Sequence, residues 1–160
     1  MSRNWLIGIG VLAVAVVVAA VAAVATRGGG EETSAAEYEV AVVEARDRVD
    51  FALNRIATPT SQEDLLNRID DAGGVAKSAA RNLDRLSVEG ELGAENDRLV
   101  RTLEAFSAEL TGTAATLRDP AFGDAADSVR TLSFNEWTRI NAILKRLQNQ
   151  GVDVELLGRH

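Results

Sequence analysis

The sequence predicts an all-α protein, with one N-terminal transmembrane helix followed by an antiparallel up-down four-helix bundle. Three observations carry that prediction. Residues 5–25 form an unbroken apolar run, WLIGIGVLAVAVVVAAVAAVA. Further along, apolar residues recur at alternating intervals of three and four, interrupted by Pro59, Gly90, Pro120 and Gly151. Aromatic residues make up only 4% of the chain, and Ala, Leu and Val dominate, which suits closely spaced helices better than a sandwich of β-branched and aromatic strands.

The apolar run comes first. At about 1.5 Å per residue it reaches roughly 30 Å, the thickness of a bilayer's hydrocarbon core. Only a helix satisfies its backbone there. A cleavable secretory signal is the competing reading, because Ala23-Val24-Ala25 supplies small residues and Arg3 a minimal basic flank. The run exceeds the apolar core of about 7–15 residues usual in a cleaved signal, which favours a retained signal anchor over a secreted helical protein. Arg3 lies on one side, and Arg27 followed by Glu31 and Glu32 on the other. That balance favours a single-pass cell-membrane protein with its N-terminus inside and its C-terminal domain exported. Residues 1–4 are then a short tail, and residues 26–33, with Gly28-Gly29-Gly30, a flexible linker. Lys77 and Lys145 are the only lysines among 17 basic residues, a bias typical of GC-rich bacterial genomes.

Residues 34–150 hold the four helical segments, expected at about 34–57, 61–87, 92–118 and 120–150. Ser34 with Glu37 is a capping-box pattern, and Tyr38, Val42, Ala45, Val49, Ala52 and Ile56 form the first apolar seam. Pro59 stops that helix, and Thr60 with Glu63 opens the next. Its seam of Leu66, Ile69, Ala72, Ala76, Ala79, Leu83 and Leu86 keeps phase across Gly73-Gly74, as one continuous helix requires. Beyond a turn at Gly90, the third seam reads Asn96, Leu99, Leu103, Phe106, Leu110, Thr113 and Leu117. Asp119-Pro120 marks a boundary. The fourth seam, Phe122, Ala126, Val129, Ser133, Trp137, Ile140, Leu144 and Leu147, slips between Val129 and Trp137, where local rewinding is expected. Gly151 closes the helix, and residues 151–160 form an extended tail whose Val152, Val154 and Leu156 are expected to fold over the end of the bundle. Short connections between segments of similar length imply antiparallel neighbours.

The residue inventory excludes much chemistry. The formal charge of −7 argues against nucleic acid, which needs clustered Lys and Arg. No cysteine is present, the single histidine is His160, and the single methionine is Met1. Di-iron, haem and zinc sites built on a helical bundle therefore lack their ligands, and no cofactor or metal is expected. A Ser or Thr nucleophile has no internal histidine as base. Asp70, Asp71, Glu104, Glu109, Asp124, Asp127 and Glu136 all fall off the seams, most with a basic residue within helical reach, as on a solvated surface. No catalytic residue is assigned, and no enzymatic activity is expected.

Surfaces are the remaining candidates. Val40, Val43 and Phe51 lie behind the first seam, and Phe134 and Trp137 concentrate scarce aromatics where the fourth seam slips. Together they mark a candidate partner surface, including a groove between the first and fourth helices. The expected partners are the lipid bilayer, through the N-terminal run, and an envelope protein or a second copy, through this surface. The layout is similar in architecture alone to the ligand-sensing domains of bacterial chemoreceptors and sensor kinases, without a shared motif. The sequence therefore supports a membrane-anchored interaction module. The alternative is a small-ligand or sensor domain with a cavity near Ala72–Ala80.

Overall fold

The computed structural model describes residues 32–118 and 134–158. The expected membrane helix at 5–25 and most of its linker lie outside these residues, as do residues 119–133 and 159–160. No helix among the described residues is long and apolar enough to cross a membrane. They form four α-helices and no strand: α1 (Ala35–Ile56), α2 (Gln62–Asp84), α3 (Gly90–Leu117) and α4 (Asn135–Asn149).

The capping box at Ser34 starts α1 as expected. Glu37 N–H donates to Ser34 Oγ at 3.3 Å, and Ser34 N–H donates to Glu37 Oε2 at 3.1 Å. For α2 the cap moves by one residue, from Thr60 to Ser61, whose Oγ accepts from Asp64 N–H at 3.1 Å. Both Thr60-x-x-Glu63 and Ser61-x-x-Asp64 fit the pattern. The second allows Asp64 to accept from Thr60 N–H at 2.7 Å, Thr60 Oγ1 at 2.9 Å and Arg68 Nε at 2.8 Å. Arg68 in turn donates to the carbonyls of Arg55 at 2.5 Å and Thr58 at 2.9 Å, so one carboxylate and one guanidinium clasp the α1–α2 turn.

The Thr60 N–H, then the Arg68 and Thr60 side chains, hold the Asp64 carboxyl at about 2, below its ordinary 3.8. A carboxyl whose folded value is depressed stabilises the fold above its unfolded value, and that contribution is lost as pH falls through the folded one. Asp64→Asn is therefore expected to flatten the decline of stability between pH 3.8 and 2. Urea unfolding at the two ends of that window measures the slope; equal slopes for variant and wild type would contradict the assignment.

Helix α2 runs unbroken through Gly73-Gly74. Gly73 lies against α3, where an added Cβ would stand 3.2 Å from Thr111 Oγ1 and 3.3 Å from Ser107 O. Close packing along the seam outweighs the low helix propensity of the pair. The fourth helix departs from expectation. Phe134 has extended dihedrals (φ −101°, ψ 121°), so α4 begins at Asn135 and is not continuous from Pro120. Phe134 offers no side-chain cap, and the carboxylate of Glu109 on α3 supplies one. It accepts from Asn135 N–H at 2.9 Å and Glu136 N–H at 3.1 Å. The slip in the fourth seam thus includes a helix start rather than rewinding alone. Upstream seam positions Phe122, Ala126, Val129 and Ser133 lie outside the described residues. At its far end α4 closes in a Schellman motif, with Gly151 at φ +92°, Val152 N–H on Leu147 O at 3.1 Å and Gly151 N–H on Gln148 O at 3.1 Å.

The helices pack in chain order, α1 on α2, α2 on α3 and α3 on α4. Cross-links give the directions: Thr33 N–H reaches Ser87 O and Arg68 reaches Thr58, Asn96 bonds Leu83 while Arg118 meets Asp70, and Glu95 meets Arg146 while Glu109 caps Asn135. Each neighbouring pair is antiparallel. Every residue of the first seam is buried, as are Leu66 to Leu83 of the second; in the third, Ala114 is buried where Thr113 was expected. Ile140, Leu144 and Leu147 carry the described part of the fourth, and Val152, Val154 and Leu157 of the tail join the same core.

Candidate functional site

The tail lies in the groove between α1 and α4. Its backbone is bonded from both sides. On the α1 side, Asp153 N–H donates to Glu39 Oε2 at 3.0 Å, Arg46 Nη2 donates to Leu156 O at 2.6 Å, and Gly158 N–H donates to Asp50 Oδ1 at 2.8 Å. On the α4 side, Gln148 Nε2 donates to Val154 O at 2.6 Å, and Asn141 brackets Leu157, accepting from its N–H at 2.8 Å and donating to its carbonyl at 3.3 Å. Trp137 Nε1 completes the set on Gly158 O at 3.2 Å.

The register follows from element geometry. From Glu39 to Asp50 a helix rises about 16 Å at about 1.5 Å per residue. From Asp153 to Gly158 an extended chain covers about 16 Å at about 3.3 Å per residue. The tail therefore runs parallel to α1 and antiparallel to α4, meeting each helix at matched steps. Its inward set is Val152, Val154 and Leu157, not the alternating Val152, Val154 and Leu156; Leu156 is 40% exposed. Strict alternation holds for a strand in a sheet, whereas here the backbone follows side chains of two helices and Arg46 fixes the Leu156 carbonyl.

The five residues singled out from sequence separate. Phe134 packs edge-on against Phe106, with ring centroids 5.7 Å apart and planes at 80°. Trp137 is half-buried against the core and spends its indole N–H on the tail. Val43 is half-buried and packed on the core. Val40 and Phe51 are exposed, at 43% and 67%, but about 16 Å apart along α1 by helical rise, so they do not form one patch. Phe51 sits beside Ala52 and Val75 in an open pocket of about 190 Å³ between α1 and α2, rimmed by Arg48, Arg55 and Asp71. Arg48 pairs with Glu44, and Arg55 lies 4.0 Å from Asp71, each guanidinium remaining half-exposed.

A buried polar cluster occupies the other end. Glu95 of α3, 6% exposed at its side chain, accepts from Arg146 Nε of α4 at 2.9 Å and also pairs with Arg98. Nearby, burial pushes the Tyr38 hydroxyl well above the ordinary tyrosine range, and the charge of Glu95 adds to the shift. The Tyr38 hydroxyl and Asn96 Oδ1 have no hydrogen-bond partner. Among the described residues no group of His, Cys, Asp and Glu is arranged to hold a metal ion.

Sequence reading missed Glu39, Arg46, Asp50, Asn141 and Gln148. A signal for them exists: Glu39, Arg46 and Asp50 fall at i, i+7 and i+11 beside the first seam, and Trp137, Asn141 and Gln148 at i, i+4 and i+11 beside the fourth. Each set is one helical stripe. Glu109 and Glu95 carried no such pattern. Comparison with protein-family profiles, curated proteins and solved structures finds no match for the chain.

Proposed function

We propose that this chain is a membrane-tethered interaction module without catalytic activity. Its up-down helical bundle is exported from a bacterial cell and docks an envelope protein through Phe51. The apolar run at 5–25 supports the tether, and the flanking Arg3 against Arg27-x-x-x-Glu31-Glu32 supports the orientation. The docking reading rests on one observation: a phenylalanine 67% exposed over an open pocket in a domain that buries its other described aromatics wholly or in part. Phe51, Ala52 and Val75 at the pocket favour a partner that offers an apolar side chain.

Phe51→Asp is expected to leave the fold intact, with stability within about 0.5 kcal/mol, because the side chain contributes little to the core. It is also expected to abolish partner capture from a photoreactive residue placed at position 75, read by mass spectrometry of in-cell crosslinks. The same partners captured in equal yield by both forms would remove Phe51 from the interface. Capture of a second copy of the chain would assign the surface to self-association.

A further inference from the structure

We propose that the groove between α1 and α4 is a reader of extended peptide backbone. The chain's own tail is its resident occupant, which an extended segment of a partner protein displaces. The inference is independent of the Phe51 surface. Six side chains from two facing helical stripes bond to backbone groups of Asp153, Val154, Leu156, Leu157 and Gly158. Those groups are common to every extended peptide, so this part of the recognition is blind to sequence. Sequence enters through the three buried side chains of Val152, Val154 and Leu157, and through the Glu155 carboxylate, which accepts from Arg46 Nη2 at 3.4 Å.

The geometry therefore specifies its ligand. A displacing segment carries apolar residues at its first, third and sixth positions and turns at its second, where the resident tail bonds Val154 N–H to Val152 O at 3.1 Å. It has no proline at the second, sixth or seventh, where the N–H groups of Asp153, Leu157 and Gly158 are used. Asp153 and Leu156 are exposed residues, yet side chains of α1 bond the N–H of the first and the carbonyl of the second. Here the backbone is gripped on both sides. Release is also local: the last bond to α4 backbone is Val152 N–H on Leu147 O, so the stretch from Asp153 onward swings away with α4 intact. Tethering raises the tail's effective concentration to the order of millimolar, so the intact chain binds an incoming segment weakly.

The test uses the full chain and a labelled peptide with the sequence of residues 151–158. Val154→Ser with Leu157→Ser weakens the resident tail and is expected to tighten peptide binding at least tenfold over wild type. N-methylation of the peptide at the position of Leu157 is expected to reverse that gain, as is Asn141→Ala in the same chain. A folded double variant that binds neither peptide, or both equally, overturns the proposal. Wild-type chains that dimerise by exchanging tails at the same concentrations assign the groove to a second copy and overturn the partner-segment reading. Should the double variant unfold, hydrogen exchange of the wild-type chain decides the matter. Amides of Asp153, Leu157 and Gly158 are expected to exchange at least tenfold faster than those of Ile69 and Leu103; matching rates, meaning that the tail opens only with the whole domain, overturn it.

Discussion

Phe106→Ala is expected to cost about 3–5 kcal/mol, a large share of the roughly 5–15 kcal/mol that holds a domain folded. Phe106 is fully buried on α3, among the largest side chains in the core. Its ring meets Phe134 edge to face at 5.7 Å, immediately before α4 begins. Truncation leaves a cavity and also removes the platform for Phe134, so the start of α4 loses support together with the core. Glu109, one turn further along α3, caps α4 at the same place. Urea unfolding of Phe106→Ala should show a lower midpoint with an unchanged slope, and Phe106→Leu should recover most of the loss because it refills the volume. A loss below about 1 kcal/mol, the size of an average substitution, would mean that the site collapses freely and that the two rings are not a structural unit.

The second large effect lies at Glu95, and its sign is asymmetric. The carboxylate is 6% exposed, whereas the Arg98 and Arg146 side chains are 53% and 45% exposed. Removing both arginines strands an unpaired charge in the core. Arg98→Ala with Arg146→Ala is therefore expected to cost about 3–5 kcal/mol, the range for breaking a buried pair. Glu95→Ala is expected to cost only about 1 kcal/mol, because water takes over the two half-exposed guanidinium groups. The triple variant should be more stable than the double, an outcome that pairwise additivity forbids. A triple variant weaker than the double would show that Glu95 acts through packing rather than through its charge.

These two sites mark the limit of what local patterns convey. Tyr38, Val42, Ala45, Val49, Ala52 and Ile56 were legible as a seam because one helical face repeats within a few residues, and all six are buried. The same held for Ile69, Ala72 and Ala76, across a glycine pair that propensity alone would have broken. Capping at Ser34 and closure at Gly151 are likewise set within a turn or two of chain. The candidate surface fared differently. Of its five residues, Phe51 and Val40 are exposed, while Val43, Phe134 and Trp137 pack on the core, Phe134 against Phe106 and Trp137 bonded to Gly158, partners far away in sequence.

Residues a few positions apart are thus sufficient to determine the helices, their inward faces and most of their ends, because helical periodicity, capping and backbone restriction are short-range. Tertiary structure alone decided where the tail lies, which carboxylate caps α4, which one is buried, and that α4 starts at Asn135. Each of those depends on a partner distant in the chain: Glu39 with Asp153 across 114 residues, Asp50 with Gly158 across 108, Glu95 with Arg146 across 51, and Glu109 with Asn135 across 26. The described stretch of the tail, residues 152–158, has no periodicity strong enough to name its seat, and a glutamate beside an arginine looks the same on a surface as beneath a second helix. Only closure of the bundle brings the stripes of α1 and α4 face to face, and with them the groove that grips the chain's own backbone.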